Sequence, residues 1–167
     1  VPSGASYPLS IRDTYRKIYP SFFEKLKIKP IKEYPSMLRE SMDYVNCGGI
    51  NVVLTPGRFN SAYYEHAYLA KKIGAQLVRN NELVVQNKVL YFKNYDGRLV
   101  RVGAVYRRLD DEFLDPKFFN EESLIGVPGI MEAYLAGNVA IMNAPGNGVA
   151  DDKGIYYFVP KMICFVR

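Results

Sequence analysis

The stretch from residue 50 to residue 78 constrains this chain most. Ile50-Asn-Val-Val-Leu54 is a short β-branched run, the texture of a buried strand. Thr55-Pro-Gly-Arg-Phe-Asn60 follows as a loop. Ser61 to Ile73 has helical character, with Asn60 or Ser61 as N-cap and Gly74 as stop. Gln76-Leu-Val78 resumes a strand. A strand, a helix and a strand in immediate succession demand a parallel pair, because the helix carries the chain back to the starting end of the sheet. The expected class is therefore α/β.

The surrounding sequence extends that sheet and covers it. Leu83–Gln86 and Val89–Phe92 read as a β-hairpin joined by Asn87-Lys88, although lysine is not the ideal second turn residue. Asp96-Gly97 marks another turn, Leu99–Tyr106 a further strand, and Val139–Met142 the last one. Between these lies a helix from about Pro128 to Ala136, closed by Gly137-Asn138. Toward the N-terminus, Ile11, Tyr15, Ile18, Tyr19, Phe22 and Leu26 recur at helical spacing, and Pro20 kinks that helix or begins a new one. Residues 35–45 read as a second helix, with Pro35 at its first position and Met37, Leu38, Met42 and Val45 on its buried face. A final helix is expected from near Asp151, carrying Tyr156, Val159, Ile163 and Phe165.

Composition removes whole classes of function. Hydrophobic residues make up 49% and charged residues 23%, which fits a globular core and argues against disorder. No apolar run approaches the roughly 20 residues that span a bilayer, so no membrane partner is expected. Cys47 and Cys164 stand far apart, and with the lone His66 they form no recognisable zinc motif. Two isolated thiols fit a reduced, cytoplasmic protein. The net charge of +5 is concentrated in residues 1–32, where seven basic residues face two acids. Such a stretch could meet phosphates. It also alternates with apolar residues as on an ordinary amphipathic helix, and no nucleic-acid-binding motif accompanies it, so no nucleic acid is expected.

Three loops leave the carboxyl ends of strands, where open parallel sheets bind ligands. The first, Thr55–Ser61, runs into a helix N-terminus. That geometry attracts anions, or it is a plain capped turn. His66 follows on the helix; beside tyrosines, a lone histidine is more often a packing residue than a catalyst. The second, Tyr106–Pro116, holds Arg107 and Arg108 and then Asp110, Asp111, Glu112 and Asp115. Paired arginines can clamp a carboxylate or phosphate, and clustered acids can hold an amine or magnesium. Equally, the loop can neutralise itself through internal salt bridges. The third, Asn143–Lys153, contains Gly146 and Gly148, which permit close backbone approach to a ligand. It lacks a Walker A pattern, and Lys153 is either a phosphate contact or a surface lysine.

Together, V-P-S-G-A-S-Y at 1–7, L-T-P-G-R-F-N-S-A-Y-Y-E-H-A-Y-L-A at 54–70, V-Y-R-R-L-D-D-E-F-L-D-P at 105–116, G-V-P-G-I-M-E-A-Y-L-A-G-N-V-A at 126–140 and N-A-P-G-N-G-V-A-D-D-K at 143–153 resemble circularly permuted ATP-grasp proteins, relatives of glutathionylspermidine synthase. The resemblance covers essentially the whole chain. It implies ATP-dependent carboxylate–amine ligation through an acyl phosphate, with ATP and Mg²⁺ as cofactors of the intact protein and small peptide-like carboxylate and amine substrates. It also implies that the metal-ligand block precedes residue 1 and that the lysine-bearing lobe over ATP follows Lys153, so neither cofactor is expected on this portion alone.

On this resemblance, Arg107, Arg108, Asp110 and Asp111 form a substrate-facing loop, with Arg58, Asn60 and Ser61 on its neighbour. Lys153, with Gly146, Asn147 and Gly148, belongs to the nucleotide side. Glu112 stands where relatives carry a third Asp. The opening at Val1 and the uncapped apolar close fit a piece of a longer polypeptide whose remainder is its partner. The implied organisation is a helical segment over 1–48, a Rossmann-like substrate domain of the pre-ATP-grasp kind over 49–150, and the start of the next lobe over 151–167. The competing expectation is a non-catalytic Rossmann-like module that binds a peptide or nucleotide.

Overall fold

The structure, a computed structural model, describes residues 4–166, apart from the side chains of Val149 and Asp151. Within them a six-stranded sheet forms from β1 (Ile50–Leu54), β2 (Gln76–Val78), β3 (Leu83–Gln86), β4 (Val89–Lys93), β5 (Leu99–Arg107) and β6 (Ala140–Met142). Strand β1 pairs in parallel with β2 and with β5, and β5 pairs in parallel with β6. The β3–β4 hairpin adds antiparallel to the first half of β5, through Leu99–Arg101, while β6 takes the second half, through Ala104–Tyr106. This is the mostly parallel, Rossmann-like α/β sheet with a hairpin extension that the sequence leads one to expect. Asn87 and Lys88 both adopt positive φ, 50° and 61°, the backbone that a two-residue I′ turn requires even of a lysine.

Side chains alternate across β1. Val52 and Leu54 enter one core with α6 (Ile130–Leu135); Val53 enters another with α3 (Tyr34–Val45) and α4 (Tyr63–Ile73). Burying both faces explains why Val52, Val53 and Leu54 form an uninterrupted apolar run. The register slips once. Ile50 faces Val102 and Asn51 faces Ala104, so Gly103 is the extra residue of a bulge. A Cβ at Gly103 would collide with the Asn46 side chain. Asn46 in turn donates to Asn51 Oδ1 at 2.7 Å and accepts from Gly48 N at 2.7 Å, tying the end of α3 to the start of β1.

Several boundaries move relative to the sequence reading. The chain breaks at Tyr19 into α1 (Ser6–Ile18) and α2 (Pro20–Lys25), with Pro20 at the start of the second. Helix α3 buries Met42, but Met37 and Val45 are exposed, because only one narrow side of it meets the sheet. Helix α4 begins at Tyr63 with Ala62 as its cap residue. Asn60 Oδ1 instead accepts from Ala62 N at 2.9 Å, a turn closed one step before the helix. A short α5 (Asp111–Leu114) interrupts the acidic loop. The expected last helix is two 3₁₀ turns, Asn147–Asp151 and Lys153–Tyr157, followed by α7 (Val159–Val166). Asp152 caps the second turn through Gly154 N at 2.7 Å; the cap at Asp151 lies outside the described side chains. Among the described residues no helix is long and apolar enough to cross a membrane.

Candidate ligand-binding cleft

Strands β1 and β5 are parallel neighbours whose following connections diverge. The chain after β1 runs through α4 to β2 on one side, and the chain after β5 runs through α5 and α6 to β6 on the other. Diverging loops leave a crevice at the carboxyl ends of the strands, the usual ligand position in such sheets. A cleft of about 840 Å³ lies there. Asn60, Ala62 and His66 form one wall, the run from Arg107 to Glu112 forms the floor, and Asn143, Asn147, Gly148 and Ala150 form the other wall.

Both arginines at the strand end are engaged by the protein itself. Arg107 is 4% exposed. Its Nε donates to Asn143 O at 2.6 Å, Nη1 to Leu109 O at 2.6 Å, and Nη2 to Ala144 O at 3.2 Å. Nη2 also pairs with Asp111 Oδ1 at 2.6 Å. One guanidinium thus binds the loop after β5 to the loop after β6. The Arg108 side chain pairs with Glu65 Oε1 at 2.5 Å, and both are almost fully buried. Glu65 Oε2 accepts from Ser6 N at 3.2 Å and Ser6 Oγ at 3.1 Å, which draws the start of α1 into the same network. The internally neutralised alternative for this loop therefore describes Arg107, through Asp111, whereas Arg108 is neutralised from outside the loop by Glu65 on α4.

The carboxylates divide differently. Asp111 Oδ2 accepts from Gly146 N at 3.1 Å. Asp115 is fully buried and accepts from Lys117 N, Gly129 N and Met131 N at 2.9–3.0 Å, so it fixes the start of α6. Asp110 and Glu112 are exposed on the cleft and form no ion pair among the described residues. With Arg107 offset by Asp111 and Arg108 by Glu65, the cleft presents net negative charge.

His66 is 2% exposed, and its Nδ1 lies 2.8 Å from Thr55 Oγ1, which also accepts from Gly57 N at 3.2 Å. Burial, reinforced by the Arg108 charge and opposed by Glu65, lowers its pKa to about 4. The ring is neutral near pH 7 and anchors the loop after β1 to α4. Tyr106, beneath Arg108, has its pKa raised, mainly by burial.

Of the residues singled out from the sequence, Arg107, Arg108, Asp110, Asp111, Asn60, Asn147 and Gly148 come together around the cleft, and Arg58, Ser61, Gly146 and Lys153 do not line it. Arg58 is exposed, with its guanidinium 5.3 Å from the centre of the Phe59 ring. Ser61 is exposed, and exposed Lys153 opens the second 3₁₀ turn. Glu65 and Asp115 were not singled out as partners. Glu65 carried a signal: it shares the i, i+4, i+8 face of α4 with Leu69 and Ile73, and a carboxylate on an apolar face needs a buried counter-ion.

The described residues do not fit Mg-ATP. No group of three or more His, Cys, Asp or Glu among them is arranged to hold a metal ion. The Gly146 amide, in the glycine-containing loop after β6, is already taken by the Asp111 carboxylate.

A family model described as "A circularly permuted ATPgrasp" matches residues 1–166. The Synechocystis sp. protein sll0335 is 48% identical over 98% of this chain and 34% of its own length. The Mycobacterium tuberculosis protein Rv2411c is 40% identical over 97% of this chain and 30% of its own. A Frankia alni protein named "Putative glutamate--cysteine ligase 2-3" is 34% identical over 99% of this chain and 20% of its own. The chain thus spans about a third or less of these curated relatives. Matched along nearly its whole length, it belongs to the circularly permuted ATP-grasp family.

Proposed function

We propose that this chain is the substrate-side domain of an ATP-dependent carboxylate–amine ligase and that its cleft receives the amine-bearing reactant. The observation that carries this reading is the division of charge at the strand ends. The guanidinium groups that could clamp a carboxylate or phosphate are spent on Asp111, Glu65 and three carbonyl oxygens. The Asp110 and Glu112 carboxylates, in contrast, stand open to the cleft. Open carboxylates beside a low-dielectric wall attract an ammonium group and repel an anion. Family membership and the ligase-named Frankia relative support the reaction class.

In this account Arg107 and Arg108 set the positions of the cleft loops, Asp110 and Glu112 hold the ammonium, and Asn60 and Asn147 border the bound amine. Neutral His66 keeps the loop after β1 in place. ATP and Mg²⁺ depend on ligands from polypeptide outside these residues. The piece alone binds but does not turn over.

The test is ATP consumption by a full-length polypeptide carrying this chain. The reading requires turnover that depends on Mg²⁺, a carboxylate and an amine together, and requires that Asp110→Asn with Glu112→Gln raise the KM for the amine by about tenfold or more, the loss expected of charge-assisted contacts. The rival reading, a non-catalytic binding module, is favoured by the occupied Gly146 amide and predicts ligand binding without ATP consumption in that same polypeptide.

A further inference from the structure

The chain exposes 11066 Å² of accessible surface at 19.0 kDa. A self-contained protein of that mass exposes roughly 8,400 Å². The excess, roughly 2,700 Å², is well above the roughly 800 Å² that each partner loses in a standard protein interface. It coincides with apolar side chains on two helical arms. Ile11, Tyr15, Ile18, Tyr19, Phe22 and Leu26 along α1–α2 are each more than half exposed. Helix α7 buries no side chain, although seven of its eight residues, Val-Pro-Lys-Met-Ile-Cys-Phe-Val, are uncharged and mostly apolar. Between α1 and α2 lies an apolar cavity of about 280 Å³, walled by Pro8, Ile11, Tyr15, Phe23 and Ile28 beside Arg12. By contrast β1 and the second half of β5 are almost completely buried.

We infer that α1–α2 and α7 are docking faces for the polypeptide that the relatives carry outside the matched region. The length of that polypeptide is about twice this chain's or more, since the matched region is 34%, 30% and 20% of the three relatives. The chemistry of the docked surface follows from what it must cover. The apolar stripe requires an apolar strip, with one bulky side chain seated in the cavity between α1 and α2. The flanking Arg16, Lys17, Lys25 and Lys27 require an acidic rim. A nucleic acid would match the charge but leave six large apolar side chains in water. A second copy would bring the same positive charge against itself.

Two measurements decide it. In full-length Synechocystis sll0335, hydrogen exchange is compared among amides aligned with 6–26, with 159–166, with β1 and with the exposed loop over 117–124. Docking predicts that the two helical arms exchange within about tenfold of β1; exchange at the rate of the loop overturns it. In the 167-residue chain alone, thiol labelling of Cys164 on exposed α7 should proceed at the rate of a free thiol, in a monomer that binds an apolar dye. A stable dimer with Cys164 protected assigns the face to a second copy and overturns the inference. So does salt-dependent binding of a nucleic-acid oligomer that protects 6–26.

Discussion

The sheet and the terminal helices are built on opposite principles. In the body, from β1 to β6, nearly every apolar residue that the periodicity assigns to a core is in one, and the buried charges are answered individually: Glu65 by Arg108 and Ser6, Asp115 by three amides, Arg107 by carbonyls and Asp111. In α1, α2 and α7 the periodicity is equally clear, yet beyond Leu9 the large apolar side chains stay mostly exposed among the described residues. Amphipathic spacing therefore states that a face is to be buried. It does not state where the covering surface comes from.

The steepest test of that contrast is Glu65→Ala. It leaves the Arg108 guanidinium buried without its carboxylate and removes the acceptor for Ser6. Thermal or chemical denaturation should show a loss of about 3–5 kcal/mol. Glu65→Gln, which keeps an acceptor for Ser6, should lose less.

Acid provides the next. The unfolded chain protonates His66 below pH 6.5, whereas the folded chain refuses that proton until about pH 4. The unfolded state binds more protons in this window, so His66 makes stability fall as pH drops from 6.5 to 4, by about 3 kcal/mol in total. Denaturation midpoints followed across that range should decline less in His66→Asn than in the parent.

Gly103→Ala should cost about 1–3 kcal/mol, because the new methyl displaces the Asn46 amide from the bulge. The smallest effect belongs to the arms: Ile18→Ser or Phe22→Ser in the isolated chain should shift stability by no more than about 0.5 kcal/mol while reducing dye binding. A loss as large as that of Glu65→Ala would show that the helical face is packed internally after all.

What was legible in the sequence followed the same division. Strand β1 is bounded as its β-branched run indicates, β2 resumes over Gln76–Val78 as expected, Gly74 ends α4 at φ 69°, and the paired registers confirm the parallel unit. These features depend on neighbouring residues. The ion pairs depend on partners that only the fold brings together: Glu65 and Arg108 are 43 residues apart, and Asp115 reaches amides 14 and 16 residues on. The arginine pair announced a charged site at the strand end, but its occupation by the chain's own oxygens was not written in residue order. The broken last helix has a local cause: Asp152 accepts from Gly154 N and Pro160 follows, which favours short turns up to α7.

The charge of the cleft is the account's central claim. With a single histidine in the chain, the His66 ring proton resonances report binding beside Arg108 without ambiguity. Titrated near pH 7 at low salt, a linear polyamine such as spermidine should shift them saturably, with affinity falling by about tenfold or more in the Asp110→Asn, Glu112→Gln double variant. Saturation by inorganic phosphate or acetate, with no response to the polyamine, would contradict it.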